Sequence, residues 1–434
     1  MAKRTPRHVV VSFTGDTLTH FGGVYFLQLF FKRIKLRKQL QRQVSFPQRN
    51  NRYSIAEELL SLIYPFSLGL GRIEATHFLK QNGVFQYLTG LPAYPNPTTL
   101  RRFLLRMAPF ALPKLRKFHD KLLSTMILKP LPPTRIIFDL DSTVLVLYGK
   151  QEMALIGYNP KKRGRPSYHP LLCFNGMTKD FWHGELRPGN VHTATGILEL
   201  LEATFVKVPP SVKYVFIRAD KGFFDHKTIE YLESKKAFFA IVAKLTKPIK
   251  RKLSGLSYHV HSSGIETAEF MYPVKAGHKE YRFIVIRRPI PDDPTDQLSL
   301  FSMGKYSYQI IVTNMKLTPI RLWRFYNGRA SVELFIKELK GDYPLAKIPT
   351  KHYAANEAYF HILLFSYNLI NWFKRLCLPQ EYQNMTLSTL RQRLLLIPGE
   401  LIRSGNRPTL KLPSNFLHKD AFEYAVKKIE KLKL

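Results

Sequence analysis

Arg135-Ile136-Ile137-Phe138-Asp139-Leu140-Asp141 is the stretch on which the fold turns. It follows the break Leu131-Pro132-Pro133, and its short β-branched and aromatic run predicts a strand. Side chains two apart share a strand face, so Asp139 and Asp141 project the same way from an otherwise apolar segment. Carboxylates in such a place are costly unless something pairs with them. Either they serve a turn or a neighbouring cation, or they do chemistry. For one aspartate taken alone, the structural role is the commoner.

Reading forward, strand-like runs fill 168–187, a helix is expected from Thr195 to Phe205, and a strand from Val212 to Ile217. That strand runs into Arg218-Ala219-Asp220-Lys221-Gly222. A helix over 227–235 and a strand from Ala237 to Ala243 continue the alternation. An acidic residue at the C-terminal edge of such a strand lies where catalytic groups collect, which brings in Asp220. From about 246 to 313 only strands and turns are expected, among them Phe270-Met271-Tyr272, Tyr281 to Arg287 and Tyr308 to Val312. Helices resume at Pro319 and run, with a break near 341–352, to about Arg375. The tail reads as one short helix, a Ser404-Gly405-Asn406 turn between strand-like arms, and a Lys-rich terminal helix. This ordering predicts an α/β fold, a mixed sheet flanked by helices and interrupted by an all-β insertion.

Reading backward, Ser54 and Glu57 form a capping box ahead of Leu59, Leu60, Leu62 and Ile63. A second helix is expected from Ile73 to Gln81, and Asn96-Pro97 opens a third. In that third helix Leu100, Phe103, Leu104 and Met107 recur at helical spacing and leave Arg101, Arg102 and Arg106 on other faces. The pattern suits a DNA-binding helix-turn-helix and a plain helical bundle equally. Before it, Lys32, Arg33, Lys35, Arg37, Lys38, Arg42, Arg49 and Arg52 crowd a leading segment that reads as a phosphate-contacting arm, with a solvated helix face or a mobile tail as the plainer alternative. The expected division is a helical, basic DNA-binding domain at 1–130, a catalytic domain at 131–245 and 314–375, an insertion at 246–313, and a C-terminal region at 376–434 for DNA or dimer contacts. At 434 residues the chain exceeds one ordinary core.

Charge narrows the partner. Lys plus Arg number 67 against 31 Asp plus Glu, a formal charge of +36, so much of the excess must face solvent or a polyanion. Such a surface binds phosphate backbones through counterion release. Ribosomal and membrane-surface proteins share this property, so charge names a partner class only. Cys173 and Cys377 stand far apart, which excludes zinc-finger spacing and a disulfide framework and fits a reducing compartment. No secretory signal is expected at the N-terminus. The longest apolar region, Tyr359 to Phe373, contains His361, Ser366, Asn368 and Asn371 and is too short and polar to span a bilayer.

The helix expected from Arg321 carries the sharpest pattern. At 100° per residue Tyr326, Arg329, Glu333 and Lys340 fall within about 60° of one another, with Lys337 close by. Such a stripe is poor core material. An Arg329–Glu333 ion pair accounts for part of it. The other reading gives Glu333 to a metal site, Arg329, Lys337 and Lys340 to phosphates, and Tyr326 to a sugar or phosphate. His169, His183 and His192 match no metal spacing and read as structural.

The pattern Tyr326-x2-Arg329-x3-Glu333-x6-Lys340 resembles the Y-(2)-R-(3)-E-(6)-K signature of a superfamily of bacterial insertion-sequence DDE transposases. Asp141-Ser142-Thr143 is similar to that family's first-aspartate motif, and Asp220-Lys221-Gly222-Phe223 to its second. Gly157 to Pro166 is similar to a run found in one subgroup, and the likeness covers roughly residues 50 to 415. The resemblance implies a ribonuclease H-like fold in which Asp141, Asp220 and Glu333 hold two Mg²⁺ (or Mn²⁺) ions. Two metals suit phosphoryl chemistry because one can activate the attacking oxygen while the other stabilises the leaving one. It further implies cut-and-paste transposition of double-stranded DNA through end cleavage, a hairpin intermediate and strand transfer, a homodimer on DNA, and a cytoplasmic, nucleoid-associated place in a prokaryote. Lys161, Lys162, Arg163 and Arg165 read as a flexible DNA-contacting loop, with Arg101 and Arg102 as further DNA contacts. One departure stands out. Relatives stack a flipped base on a tryptophan of the insertion, but this chain has none between Trp182 and Trp323, leaving Phe270, Tyr272, Tyr281 and Phe283 as substitutes. A nuclease or an inactive DNA-binding relative of the same fold is the alternative reading.

Overall fold

The aspartate-bearing stretch forms strand β1 (Arg135–Ser142) of a 10-stranded sheet in a computed structural model of the chain. The structure describes residues 13, 15–48, 52–159, 162–261, 264–290, 301–303 (backbone only) and 305–433. On one side of β1 lie β2 (Leu171–Asn175) and then β3 (Phe181–Glu185), both pairings antiparallel. On the other side lie β4 (Tyr214–Ala219) and β5 (Phe238–Val242), both pairings parallel. The order β3-β2-β1-β4-β5, with a parallel half and an antiparallel half, is the ribonuclease H-like sheet. Its parallel half is buried on both faces, which is why β1 reads as near-continuous apolar sequence.

Three long strands of the insertion, β6 (Glu266–Pro273), β7 (Glu280–Pro289) and β8 (Tyr306–Thr313), pair antiparallel with one another. They do not form a sheet apart. Strand β8 pairs with β5, Ile311 opposite Val242, and prolongs the same sheet. The strand-only expectation for 246–313 needs a correction. A helix, Lys247–Ser254, opens the segment. Pro248 sits in its first turn and only Ile249 and Leu253, four apart, are buried, so two apolar residues among lysines and arginines were too sparse to read as a helix.

Helix α1 (Ile55–Leu68) begins at the expected capping box, with Glu57 N–H donating to Ser54 Oγ at 3.3 Å and Ser54 N–H to Glu57 Oε2 at 2.9 Å. The basic leading segment is helical where it is described. It forms helices Val24–Arg33 and Leu36–Gln43, which bury Phe26, Phe30, Leu36 and Leu40 and leave Lys32, Lys38 and Arg42 on the outer face. Arg49 lies outside the described residues. Helix α2 (Pro97–Met126) runs for 30 residues with Leu100, Phe103, Leu104 and Met107 buried, and packs on α8 (Tyr353–Cys377) through Phe118 and His119, as in a bundle rather than a short recognition helix.

Helix α8 is the centre of the molecule, with every side chain from Ala358 to Lys374 buried, Trp372 among them. Ser366, Asn368, Asn371 and Lys374 have hydrogen-bond partners, while His361 Nε2 and Trp372 Nε1 have none among the described residues. Asn368 accepts from Phe181 N–H at 2.8 Å and donates to Phe181 O at 2.7 Å, closing the edge of β3. Among the described residues no helix is long and apolar enough to cross a membrane.

Candidate active site

Register decides which carboxylates meet. Leu140 of β1 lies opposite Ala219 of β4 in the parallel pairing, so the next residues, Asp141 and Asp220, leave adjacent strand ends side by side. Each is fixed by the turn that follows: Ser142 N–H donates to Asp141 Oδ1 and Gly222 N–H to Asp220 Oδ1, both at 2.8 Å. The third carboxylate, Glu333, stands in the first turn of α7 (Ala330–Gly341).

The helix expected to run on from Arg321 is broken. Helix α6 (Pro319–Asn327) ends before α7 begins, and Arg218 is the cause. Its Nη1 donates to Phe325 O at 2.9 Å, and a Cβ on Gly328 would lie only 2.1 Å from that nitrogen. Glycine at 328 therefore lets a buried guanidinium cross the junction between the helices. The same guanidinium grips Asp139 with two bonds of 2.6 and 2.8 Å, and Asp139 is fully buried. Gly176 clears the opposite side, where a Cβ would lie 2.4 Å from Asp139 Oδ2. Of the two acids on the face of β1, Asp139 is consumed by structure and Asp141 is left at the mouth.

Arg329 sits among the three remaining carboxylates. Its guanidinium lies 3.0 Å from Asp141, 3.9 Å from Asp220 and 3.4 Å from Glu333. The Asp141 side chain is 12% exposed, that of Asp220 40% and that of Glu333 67%, so the cluster grades from protein to solvent. Burial pushes the Asp141 carboxyl up to about 6; Arg329 opposes that, while Asp220 and Glu333 add to it. Burial works against the charge of Arg329, yet Asp141, Tyr326, Asp220 and Glu333 hold its proton more firmly than usual. All three acids offer hard oxygen donors of the kind Mg²⁺ takes. A cation would also relieve the like-charge crowding that raises Asp141. The residues present fit a divalent ion, although among the described residues these three do not form a set with all ligand atoms within 4.8 Å of one another.

Lys337 and Lys340 line the same cleft with Asp141, Ser142, Thr143, Glu333 and Ile336. Lys337 is exposed, while Lys340 Nζ donates to Thr143 Oγ1 at 2.5 Å and Val144 O at 2.9 Å, tying α7 to the turn after β1. Tyr326, expected to contact a sugar or phosphate, is largely buried. Its ring is 7% exposed, in the apolar cluster that α6 makes with β5, β7 and β8, and burial pushes its hydroxyl up to about 12.

The structure brings the loop residues to a neighbouring site rather than to the carboxylates. Lys162 donates to the hydroxyl of exposed Tyr148, and Arg165 lies over the same ring at 5.7 Å. Arg163 is exposed, and Lys161 lies outside the described residues. Arg101 donates to Pro349 O at 3.0 Å and pairs with Glu74, Arg106 pairs with Glu58 at 3.2 Å, and Arg102 faces solvent. Arg101 and Tyr148 line one cleft with Arg72 and Lys347, and those last two along with Tyr148 were missed in the sequence. Arg218 was missed too, though a charge two residues before Asp220 in an apolar strand was a signal that a buried partner was needed. His169 is bonded to Ser142 Oγ at 3.1 Å and Val191 O at 3.2 Å, a structural role as expected. Of the stacking candidates, Tyr281 and Phe283 are buried, while Phe270 and Tyr272 are half-buried.

A family described as Transposase DDE domain group 1 matches residues 2–434. Among solved structures the chain is similar to a piggyBac transposase synaptic complex with hairpin DNA, at 12% identity and a TM-score of 0.45, over 86% of this chain and 79% of that one. It is more distantly similar to a Mos1 transposase paired-end complex with the left transposon end, at 12% identity and a TM-score of 0.17, over 45% of this chain and 60% of that one. No curated protein matches the sequence.

Proposed function

Because this chain belongs to the family described as Transposase DDE domain group 1, we propose that Asp141, Asp220 and Glu333 are the residues with which it cuts and joins DNA. The protein is a DNA transposase, an enzyme of a class that works with divalent metal ions. One observation carries the assignment of residues: two acids leave adjacent parallel strand ends together, and a third from α7 reaches the same guanidinium.

Two Mg²⁺ (or Mn²⁺) ions held by these acids would supply Lewis-acid charge at the scissile phosphate, for both the attacking and the leaving oxygen. Arg329 contacts all three carboxylates and answers only part of their charge, so cation binding and Arg329 compete for the same oxygens. Lys337 presents a solvent-facing ammonium beside the acids and contacts a DNA phosphate. Lys340 positions α7 through its bonds to 143–144. Lys161, Lys162, Arg163, Arg165, Arg101 and Arg102 contribute sequence-independent phosphate contacts. A hairpin on the element's end rests on family resemblance, with half-buried Phe270 and Tyr272 as the rings able to turn outward onto a base. Synapsis of two ends calls for a homodimer on DNA, and action on a prokaryotic genome for the cytoplasm.

The test is incubation with donor DNA bearing the element's ends, a target plasmid and Mg²⁺. Joined products are expected from the wild-type protein. Asp141→Asn abolishes cleavage and joining while leaving end binding nearly intact. Loss of binding together with cleavage would contradict the role given to Asp141, and cleavage without joining would reduce the activity to that of a nuclease.

A further inference from the structure

Away from the carboxylate cleft, helix α4 (His226–Ser234) meets the turn between β6 and β7. His226 and Glu230 stand one helical turn apart on the same face, and Asp225 fixes the helix start by accepting from Thr228 N–H at 3.2 Å. His278 approaches from the turn. The Glu230 carboxylate lies between the two imidazoles, 3.2 Å from Nδ1 of His226 and 3.8 Å from Nδ1 of His278, and the rings are 4.2 Å apart. Among the described residues this is the group of three whose ligand atoms all lie within 4.8 Å of one another.

We propose that His226, Glu230 and His278 form a second metal site, for Zn²⁺ or a similar transition ion, which clips the β6–β7 hairpin to α4. Ligand atoms around a tetrahedral zinc with bonds of about 2.0–2.1 Å stand about 3.3 Å apart. The His226–Glu230 pair already has that spacing. His278, on an exposed turn, closes the remainder by a movement on the order of 1 Å. Two imidazoles and one carboxylate select zinc, cobalt or nickel over magnesium, so the site is chemically distinct from the three-carboxylate cleft. A water takes the fourth position. The neighbouring contacts already hold the same two elements together: Lys279 pairs with Glu233 at 2.8 Å, and Tyr281 donates to Glu233 at 3.0 Å. Since α4 follows the Asp220 turn, an ion here fastens the insertion to the segment that carries the second carboxylate.

The test titrates Zn²⁺ and Co²⁺ into full-length Asp141→Asn/Asp220→Asn/Glu333→Gln protein, and in parallel into wild-type protein, both in excess Mg²⁺. One ion per chain, a visible Co²⁺ spectrum of tetrahedral type and a rise in Tm are expected from either protein. His278→Ala, on an exposed turn, weakens binding by more than about tenfold and removes the Tm rise, and Glu230→Gln does the same. Binding that survives undiminished in both variants, or no binding in competition with Mg²⁺, overturns the site. Neutralising the catalytic carboxylates keeps this outcome separate from that of the proposed function.

Discussion

Two aspartates on one strand face, two residues apart, meet two arginines and come to opposite ends. At the closed end of β1, Asp139 is fully buried and Arg218 holds both its oxygens at 2.6 and 2.8 Å. At the open end, Asp141 lies 3.0 Å from the Arg329 guanidinium, which is shared with Asp220 and Glu333. The first pair is saturated, so it can do no chemistry and serves to pin β4 to the end of α6. The second is under-determined: three negative charges stand around one positive charge, with solvent at the mouth. An aspartate is structural or reactive according to whether its charge is fully answered.

The contrast is open to breaking at its strong end first. Asp139→Asn keeps the shape but strands the buried Arg218 charge, and such losses cost about 3–5 kcal/mol. Denaturant unfolding at pH 7 measures it, and a loss under about 1 kcal/mol would dissolve the distinction between the two ends. Next comes pH dependence at the open end. The Asp141 carboxyl, about 6 in the fold against an ordinary 3.8, favours its protonated form there. Its contribution is therefore fully present below about pH 3.8 and lost as pH rises through 6, a change of about 3 kcal/mol. Without divalent ions in the buffer, wild-type protein loses that stability between pH 4 and 7, and Asp141→Asn does not. Parallel pH–stability curves for the two proteins would remove the claim. The smallest effect concerns Arg329. Arg329→Gln vacates the oxygens that the guanidinium shares, so Mg²⁺ affinity measured calorimetrically rises by roughly tenfold, about 1.4 kcal/mol. Weaker Mg²⁺ binding would mean that Arg329 assists the ion instead of competing with it.

The alternation from Arg135 to Ala243 was legible because strand and helix periods differ and each element carries its own apolar pattern. The proposed carboxylate trio likewise rests on strand ends and the Tyr326–Lys340 spacing, which are local features. What was hidden depended on partners far along the chain. The helix at 247–254 shows only two apolar positions. The break at Gly328 exists because Arg218, over a hundred residues earlier, reaches into it. Tyr326 shares the stripe of Arg329 and Glu333 in sequence; in the fold its ring is buried in the α6 cluster while its hydroxyl still feels Arg329 and the three acids.

Sequence by itself determined the strand bearing Asp139 and Asp141, the turn bearing Asp220, the helix bearing Glu333 and a formal net charge of +36 suited to DNA. Those rest on local propensity, periodicity and composition, which need no partner. Only the tertiary structure decided between Asp139 and Asp141, placed Arg329 among the acids and brought His278 to His226. Each of those outcomes depends on which distant charge fills a given buried or clustered position, and desolvation makes that choice only once the strands are paired.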